Sequence, residues 1–213
     1  METLQTLERG MAALELIAKQ HGQINVAQLA EQLALNRTIT YRITRTLSSL
    51  GYIKTNEQQF LELTSKISTL YHCFEKTIPT SSQYVLNILA KQTNASASLV
   101  IAEGSDCVVA KTASSHAEYL QINYQLGSRL PIGLAASGIA IASTFAPHQS
   151  ESDEIKQARQ LGYAYSESIL QHGAIGLFMP IPNRHMAVGI VHLGEIDKDV
   201  VLNYLKEARD ALI

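Results

Sequence analysis

The sequence contains little that would suggest a secreted, metal-binding or membrane protein. Its 213 residues include only two cysteines, Cys73 and Cys107, and neither has a second cysteine or a histidine at metal-ligand spacing. We therefore expect two buried, inert thiols, with no metal, cofactor or disulfide. No apolar run approaches the roughly 20 residues that span a bilayer. The first ten residues also lack the basic and then apolar pattern of a secretion signal. These absences favour a cytoplasmic protein with no membrane contact.

Proline is absent before Pro79, and residues 4–50 are predicted to be almost continuously helical, with two interruptions. Apolar residues at helical spacing predict an inner face on the first helix: Leu7, Met11, Leu14, Ile17 and Ala18. Asn25 and Gln28 have the spacing of a capping box at the start of a second helix. Asn36 is a suitable cap for a third helix, which Gly51 would close.

The third helix and the residues after it predict a winged helix-turn-helix over residues 1–64. We expect one side of this helix to face inward: Ile39, Ile43, Leu47 and Leu50. We expect the opposite side to face solvent: Arg37, Thr38, Thr40, Tyr41, Thr44 and Arg45. The segments "YIK" and "FLEL" predict two short strands around the polar turn "TNEQQ". Three helices, a tight turn and a hairpin are the parts of that fold.

Basic residues are concentrated in residues 36–54, which hold four cations and no acidic residue although the whole chain has a net charge of −2. Arginine suits bidentate contact with guanine, and threonine can meet a base edge or a thymine methyl group. The candidates for base contact are Arg37, Thr38, Thr40, Tyr41 and Arg45. The candidates for phosphate contact or positioning are Arg9, Arg42, Lys54 and Thr55. A solvated charged face, or a face that contacts another protein, is the alternative interpretation.

The second part of the chain has a different pattern. Residues 65–80 predict a linker helix that ends near Pro79, and residues 81–213 predict an α+β domain with an antiparallel sheet. Expected strands include "ASLVIAE", "CVVAKTA", "EYLQINY", "AIGLFMPIP" and "MAVGIVHLG", with a helix of small residues after "LGSRLP".

The order of these parts resembles the IclR (isocitrate lyase regulator) family of bacterial transcriptional regulators over nearly the whole chain. The similar segments are "LERGMAALELIA", "LNRTITYRITRTLSSLGYIK", "LGSRLPIGLAASGIAIA", "LGYAYSES" and "HGAIGLFMPIP". The resemblance implies a winged-helix domain, a dimerising linker helix and a GAF-like effector-binding domain. It also implies a homodimer or dimer of dimers on double-stranded operator DNA, controlled by a small molecule.

The effector site that the resemblance implies comprises Leu134, Ala135, Ala136, Ser137, Ser166, Ala174, Gly176, Val191 and Leu193. The family's polar pocket positions, a cysteine and two serines, fall here on Gly176, Val191 and Leu193, and its acidic position falls near Ser166. We therefore expect an effector larger and more apolar than glyoxylate or pyruvate. A pocket that has lost ligand binding is the competing explanation.

An enzyme would need a reactive centre, and Ser137 is the one candidate nucleophile, with His148 and Asp153 nearby in sequence. A nucleophile elbow requires glycine two residues before and after the serine. Those positions hold Ala135 and Ile139, so we expect no catalysis. The sequence thus predicts a ligand-responsive regulator, a repressor by preference, on a palindromic operator. The runner-up is a sensor or interaction module that does not bind DNA specifically.

Overall fold

The computed structural model describes residues 3–115 and 124–213, and the chain divides into two compact units, Met1–Thr77 and Ile78–Ile213. The elements of the first unit are α1 (Gln5–Lys19), α2 (Val26–Gln32), α3 (Arg37–Ser49), β1 (Ile53–Thr55), β2 (Leu61–Leu63) and α4 (Lys66–Glu75). Strands β1 and β2 form an antiparallel hairpin, and an isolated bridge joins Ile24 to Leu61. This unit is a winged helix-turn-helix, as predicted.

The core of the first unit lies between its first three helices and the hairpin. It consists of Ala13, Ile17, Ile24, Leu29, Ile43, Leu47, Ile53 and Leu61. The predicted inner face of α1 is wrong at its N-terminal end, because Leu7 and Met11 are 61% and 49% exposed. Ala13 and Ile17 are the fully buried residues of this helix. The small Ala13 side chain gave a weaker sequence signal than the larger residues beside it.

Polar side chains define where α2 and α3 begin. Asn25 and Gln28 form the expected capping box, with each side chain 3.0 Å from the other residue's backbone nitrogen. The side chain of Asn36 accepts a hydrogen bond from the backbone N–H of Thr38 at 2.8 Å. Between the two helices Ala34 takes a positive φ of 52°, and the N–H of Leu35 donates to the carbonyl of Ala30. This turn holds the helices at a fixed angle.

The second unit is built on one six-stranded antiparallel sheet with the order β5-β4-β3-β8-β7-β6. Its elements are α5 (Ser82–Thr93), β3 (Ser96–Glu103), β4 (Asp106–Ser114), β5 (Arg129–Pro131), α6 (Ala135–Ala142), α7 (Asp153–Leu161), β6 (Ala164–Glu167), β7 (Ala174–Ile181), β8 (Met186–Leu193) and α8 (Lys198–Asp210). The predicted strand "EYLQINY" falls on residues 118–124, of which all but Tyr124 lie outside the described residues.

Helices cover this sheet. Helix α6 contacts β6, β7 and β8, whereas α5 contacts β3 and β4, and α8 contacts β7 and β8. We call the side of the sheet that meets α6 the α6 face. Its apolar core includes Val100, Cys107, Phe178, Ala187 and Val191, packed with residues of α6. The mixed helix and sheet architecture agrees with the predicted α+β class. No helix in the described part of the chain is long and apolar enough to cross a membrane.

Candidate nucleic-acid interface and effector site

Helix α3 presents a continuous polar stripe to solvent. Thr38, Tyr41, Arg42 and Arg45 follow the i, i+3, i+4, i+7 spacing of one helical face, and all four are exposed. Tyr41 is 65% exposed. We call these four residues the α3 stripe. Arg37 is also exposed, at the first position of the helix. The stripe can offer cationic, hydroxyl and aromatic contacts to a partner.

The structure corrects the expectation for Thr40. Its side chain is 0% exposed, and its hydroxyl donates to the carbonyl of Asn36 at 3.2 Å, so it does not reach a base from this position. Thr44 is buried as well, whereas Ile39, predicted to face inward, is 38% exposed. The buried side of α3 is therefore Thr40, Ile43, Thr44 and Leu47. Threonine is suited to such a position, since its methyl group packs and its hydroxyl bonds to the preceding turn.

The hairpin between β1 and β2 carries the wing residues. Thr55 is exposed, and the ammonium of Lys54 lies 3.1 Å from a carboxylate oxygen of Glu62. The side chain of Asn56 donates to Glu62 at 2.7 Å and accepts from the N–H groups of Gln58 and Phe60. Hydrogen bonds from Asn56 and then Lys54 lower the pKa of Glu62. The wing turn is thus ordered by its own side chains, and Lys54 is partly neutralised.

Arg9 and Arg37 lie at the two grooves beside the turn that precedes α3. Arg9 is half-buried in a groove with Leu33 and Leu35, and Arg37 shares a groove with Asn25 and other residues of α2. Both are thus placed near the N-terminal end of α3. A cation that the sequence reading left out, Lys66, donates to the carbonyl of Leu50 at 2.6 Å and lies over the Tyr52 ring. It stabilises the C-terminal end of α3.

The effector candidates come together around the start of α6. The hydroxyl of Ser166 accepts a hydrogen bond from the N–H of Ala136 at 2.9 Å. A Cβ on Gly176 would lie 3.2 Å from the Cβ of Ala136 and 3.2 Å from the Ser166 hydroxyl, so glycine allows α6 to approach the sheet closely. Val191 pairs with Gly176 on the adjacent strand. The hydroxyl of Ser166 therefore already accepts one hydrogen bond within the fold.

The remaining effector candidates lie at the rim or inside the core. Leu134 and Leu193 are 39% and 37% exposed, and Ala174 pairs directly with Leu193. Ala135 is buried with a positive φ of 55° at the first position of α6. Ser137 is completely buried. The candidates therefore form one region rather than scattered positions.

The polar groups that lie near α6 in the described part of the chain include two hydroxyls and a thiol. The hydroxyl of Tyr124 lies 3.5 Å from that of Ser137. Burial raises the pKa of the Cys107 thiol to about 11, against a lowering effect of a hydrogen bond with Ser137. Burial likewise raises the pKa of Tyr124. Two further hydroxyls on this face, those of Ser96 and Ser98, were not singled out from the sequence.

Among the described residues, Ser137 and His148 have hydrogen-bond contacts with different partners. His148 shares a hydrogen bond with Ser150 at 3.0 Å, and Ser137 contacts Tyr124. Among the described residues no group of three or more His, Cys, Asp or Glu side chains could hold a metal ion.

Comparison with known proteins finds a matching domain model and similar transcriptional regulators. Residues 6–57 match the model of the IclR helix-turn-helix domain. The chain is 30% identical over 143 residues to the p-hydroxybenzoate hydroxylase transcriptional activator of Acinetobacter baylyi, covering 64% of this chain and 52% of the relative. It is 25% identical over 170 residues to the Pca operon regulatory protein of the same organism, covering 76% and 61%. The chain thus spans about half to three-fifths of the length of these curated relatives.

Solved structures extend the likeness to the fold of nearly the whole chain. An IclR transcriptional regulator from Alicyclobacillus acidocaldarius has a TM-score of 0.73 at 17% identity, covering 99% of this chain and 98% of its own. An IclR homolog from Microbacterium hydrocarbonoxydans, complexed with 4-hydroxybenzoate, has a TM-score of 0.77 at 14% identity, covering 98% and 97%. The matched domain model spans α1 to β1, so the first unit is similar to an IclR helix-turn-helix domain, and nearly the whole chain shares the fold of these solved structures.

Proposed function

We propose that the protein is a ligand-responsive transcriptional regulator that binds operator DNA through the α3 stripe and the wing. The observation that carries the proposal is the exposed row of Thr38, Tyr41, Arg42 and Arg45 on the second helix of a helix-turn-helix. This is the helix that enters the major groove in such domains. Arg45 and Tyr41 are proposed to contact bases, while Arg9, Arg42 and Lys54 contact phosphates. Arg37, Thr38 and Thr55 complete the proposed contact set.

The names of the relatives support a role in transcriptional regulation, but they include both an activator and a repressor. One is named as a transcriptional activator, one as an operon regulatory protein, and one, from Salmonella typhimurium, as the Acetate operon repressor. Repression by this chain stays a prediction. We also propose that the protein acts in the cytoplasm as a homodimer or dimer of dimers on a palindromic site, because symmetry in the protein is matched by symmetry in the operator.

The small-molecule part of the proposal rests on the second unit. Helix α6 meets the sheet at Ala136, Ser166 and Gly176, and we propose that the effector binds here because the site residues implied by the family resemblance lie together at this point. A related structure contains 4-hydroxybenzoate. Because Val191 and Leu193 replace polar side chains at this site, we propose an effector more apolar than a small 2-oxo acid.

The decisive test of DNA binding compares Arg45→Ala with Thr40→Val. The operator is first selected from fragments of the source genome with the purified protein, and affinity is then measured by fluorescence anisotropy. Removing an arginine from a base contact should weaken binding about 5- to 150-fold. Thr40→Val should change affinity less than about twofold, because the Thr40 side chain is completely buried.

The competing function is a sensor or interaction module. In that case the selection returns no preferred fragment, and Arg45→Ala has no more effect than Thr40→Val. Either result would contradict the proposed regulator. Measuring the oligomeric state of both variants by light scattering shows that any loss of affinity is not a loss of assembly.

A further inference from the structure

Two serines of β3 lie on the α6 face beside the effector candidates. Directly paired residues of antiparallel strands point to the same side of a sheet. Ser96 pairs with Val191, which in turn pairs with Gly176. Two residues further along β3, Ser98 pairs with Gly189 and therefore faces the same way. Ser96 and Ser98 thus extend the row of effector candidates onto the central strand.

The hydroxyls of Ser96 and Ser98 are buried without a partner. The two residues are 1% and 0% exposed, and within residues 3–115 and 124–213 neither hydroxyl makes a hydrogen bond. Buried hydroxyls are nearly always paired, because leaving one unpaired costs free energy. Other buried or half-buried serines of this unit are paired, including Ser143 and Ser166. The two hydroxyls therefore contribute no hydrogen bond to the stability of the fold.

The surroundings of these hydroxyls are apolar and aromatic. A Cβ on Gly189 would lie 2.2 Å from the ring of Phe178, so this ring lies directly over the glycine that pairs with Ser98. The Tyr124 ring is 6.1 Å from Phe178 between centroids. Val191 lies opposite Ser96. A ligand that reaches the two serines would contact aromatic and aliphatic groups on its other sides.

The α6 face offers no charge to a ligand in the described part of the four central strands. Their ionisable acidic and basic residues are Glu103, Asp106, Lys111 and His192. All four lie at strand positions that face the side of the sheet opposite to α6. Lys111 pairs with Leu99 and His192 with Ile175, each one residue out of phase with Ser98 and Val191. A carboxylate buried among these hydroxyls would lack a cationic partner at a large cost in free energy. The geometry therefore favours a neutral ligand.

We infer that Ser96 and Ser98 are the polar anchors of the effector, and that this effector is a small uncharged aromatic molecule bearing one or two hydroxyl groups, of the phenol or catechol class. Each serine hydroxyl can donate to or accept from a ligand hydroxyl. The flanking rings of Phe178 and Tyr124 supply the aromatic contacts. The inference rests on the proposed function, in which the second unit binds an effector.

Isothermal titration calorimetry of the full chain tests the ligand class with phenol, catechol and benzoate as probes. Catechol or phenol should bind, and benzoate should bind at least tenfold more weakly. Ser96→Ala and Ser98→Ala should each weaken that binding about three- to tenfold, the effect of one neutral hydrogen bond. Ser143→Ala is the control, since Ser143 is also buried, at 8% exposure, but its hydroxyl donates to the carbonyl of Ala140 at 2.7 Å. It should leave the dissociation constant within about twofold.

Thermal unfolding of the ligand-free variants separates a binding role from a structural one. Ser96→Ala and Ser98→Ala should leave the Tm unchanged or raise it, because each removes an unpaired buried hydroxyl. Ser143→Ala should lower the Tm, because it removes a hydrogen bond. A lowered Tm for both β3 variants would overturn the inference, and so would tighter binding of benzoate or no binding of phenol and catechol. Operator binding by the same protein is scored separately, so that failure here leaves the DNA-binding proposal standing.

Discussion

The Cys107 thiol illustrates how burial on the α6 face acts on a single residue. Its pKa is raised to about 11 from an ordinary value of 9.0, chiefly because the thiolate would lose its solvation. The thiol therefore stays protonated in the folded protein at pH values where the unfolded chain has begun to ionise. Cys73, which the sequence predicts to be buried as well, is exposed. The two free cysteines therefore lie in different environments.

We predict that this thiol makes the protein less stable in alkali. Below pH 9 both states hold the proton, so the free energy of unfolding is unaffected. Between pH 9 and pH 11 the unfolded state loses the proton first, and the free energy of unfolding should fall, by about 1 kcal/mol at pH 10. Urea denaturation of wild type and Cys107→Ala at pH 8 and pH 10 measures this difference. Cys73→Ala should keep the wild-type pH dependence, and an equal dependence in Cys107→Ala would refute the assignment.

The strands of the second unit depend on one close approach that a larger residue would prevent. A Cβ on Gly189 would meet the Phe178 ring at 2.2 Å and the carbonyl oxygen of Leu177 at 2.5 Å. The oxygen belongs to the paired strand β7 and cannot move without disturbing the sheet. Gly189 therefore gives Phe178 the space to pack over β8.

We predict that Gly189→Ala destabilises the second unit by about 3 kcal/mol, since the overpacked ring and backbone must both shift. The measurement is urea denaturation of the full chain. Gly10→Ala is a suitable control, because no atom lies within 4 Å of the added Cβ and the residue is inside α1. It should stabilise by about 0.5–1 kcal/mol, the helix preference of alanine over glycine. Equal effects of the two changes would contradict the packing argument.

At the scale of elements, local signals were readable from the sequence and packing directions were not. The caps at Asn25 and Asn36 were predicted correctly because each depends on residues within one turn. The two sides of α3 were predicted incorrectly at four positions, since Thr40 and Thr44 are buried whereas Ile39 and Leu50 are 38% and 52% exposed. Threonine can occupy the buried side because its hydroxyl bonds to the preceding turn and its methyl group packs.

The hydroxyls of β3 show a second limit of sequence reading. Which side of a sheet Ser96 and Ser98 face depends on pairing with β8, which lies about ninety residues further along the chain. Their lack of a partner follows from the packing of both strands with α6. Neither property can be recognised from the residues that neighbour Ser96 and Ser98 in the sequence. The predicted effector positions on β7 and β8 were therefore found through family resemblance, and the positions on β3 were missed.

At the scale of the whole molecule, the distribution of charge matters more than its sum. The net charge is −2, so the protein as a whole does not attract a polyanion. Any strong salt dependence of DNA binding must therefore come from a local group of cations. The exposed cations on the first unit that would supply it include Arg37, Arg42 and Arg45 of α3.

We predict that Arg42→Ala lowers the slope of log affinity against log salt concentration by about 1 for each subunit that contacts the operator. Each lost phosphate contact releases roughly one counterion fewer. A change of about 2 would thus indicate two subunits per site, and a change of about 1 would indicate one. Anisotropy titrations from 50 to about 200 mM salt give the slope. Lys206→Ala removes an equal charge from an exposed position on α8 and should leave the slope unchanged. If both variants shift the slope equally, binding depends on net charge, and α3 has no special role in contacting DNA.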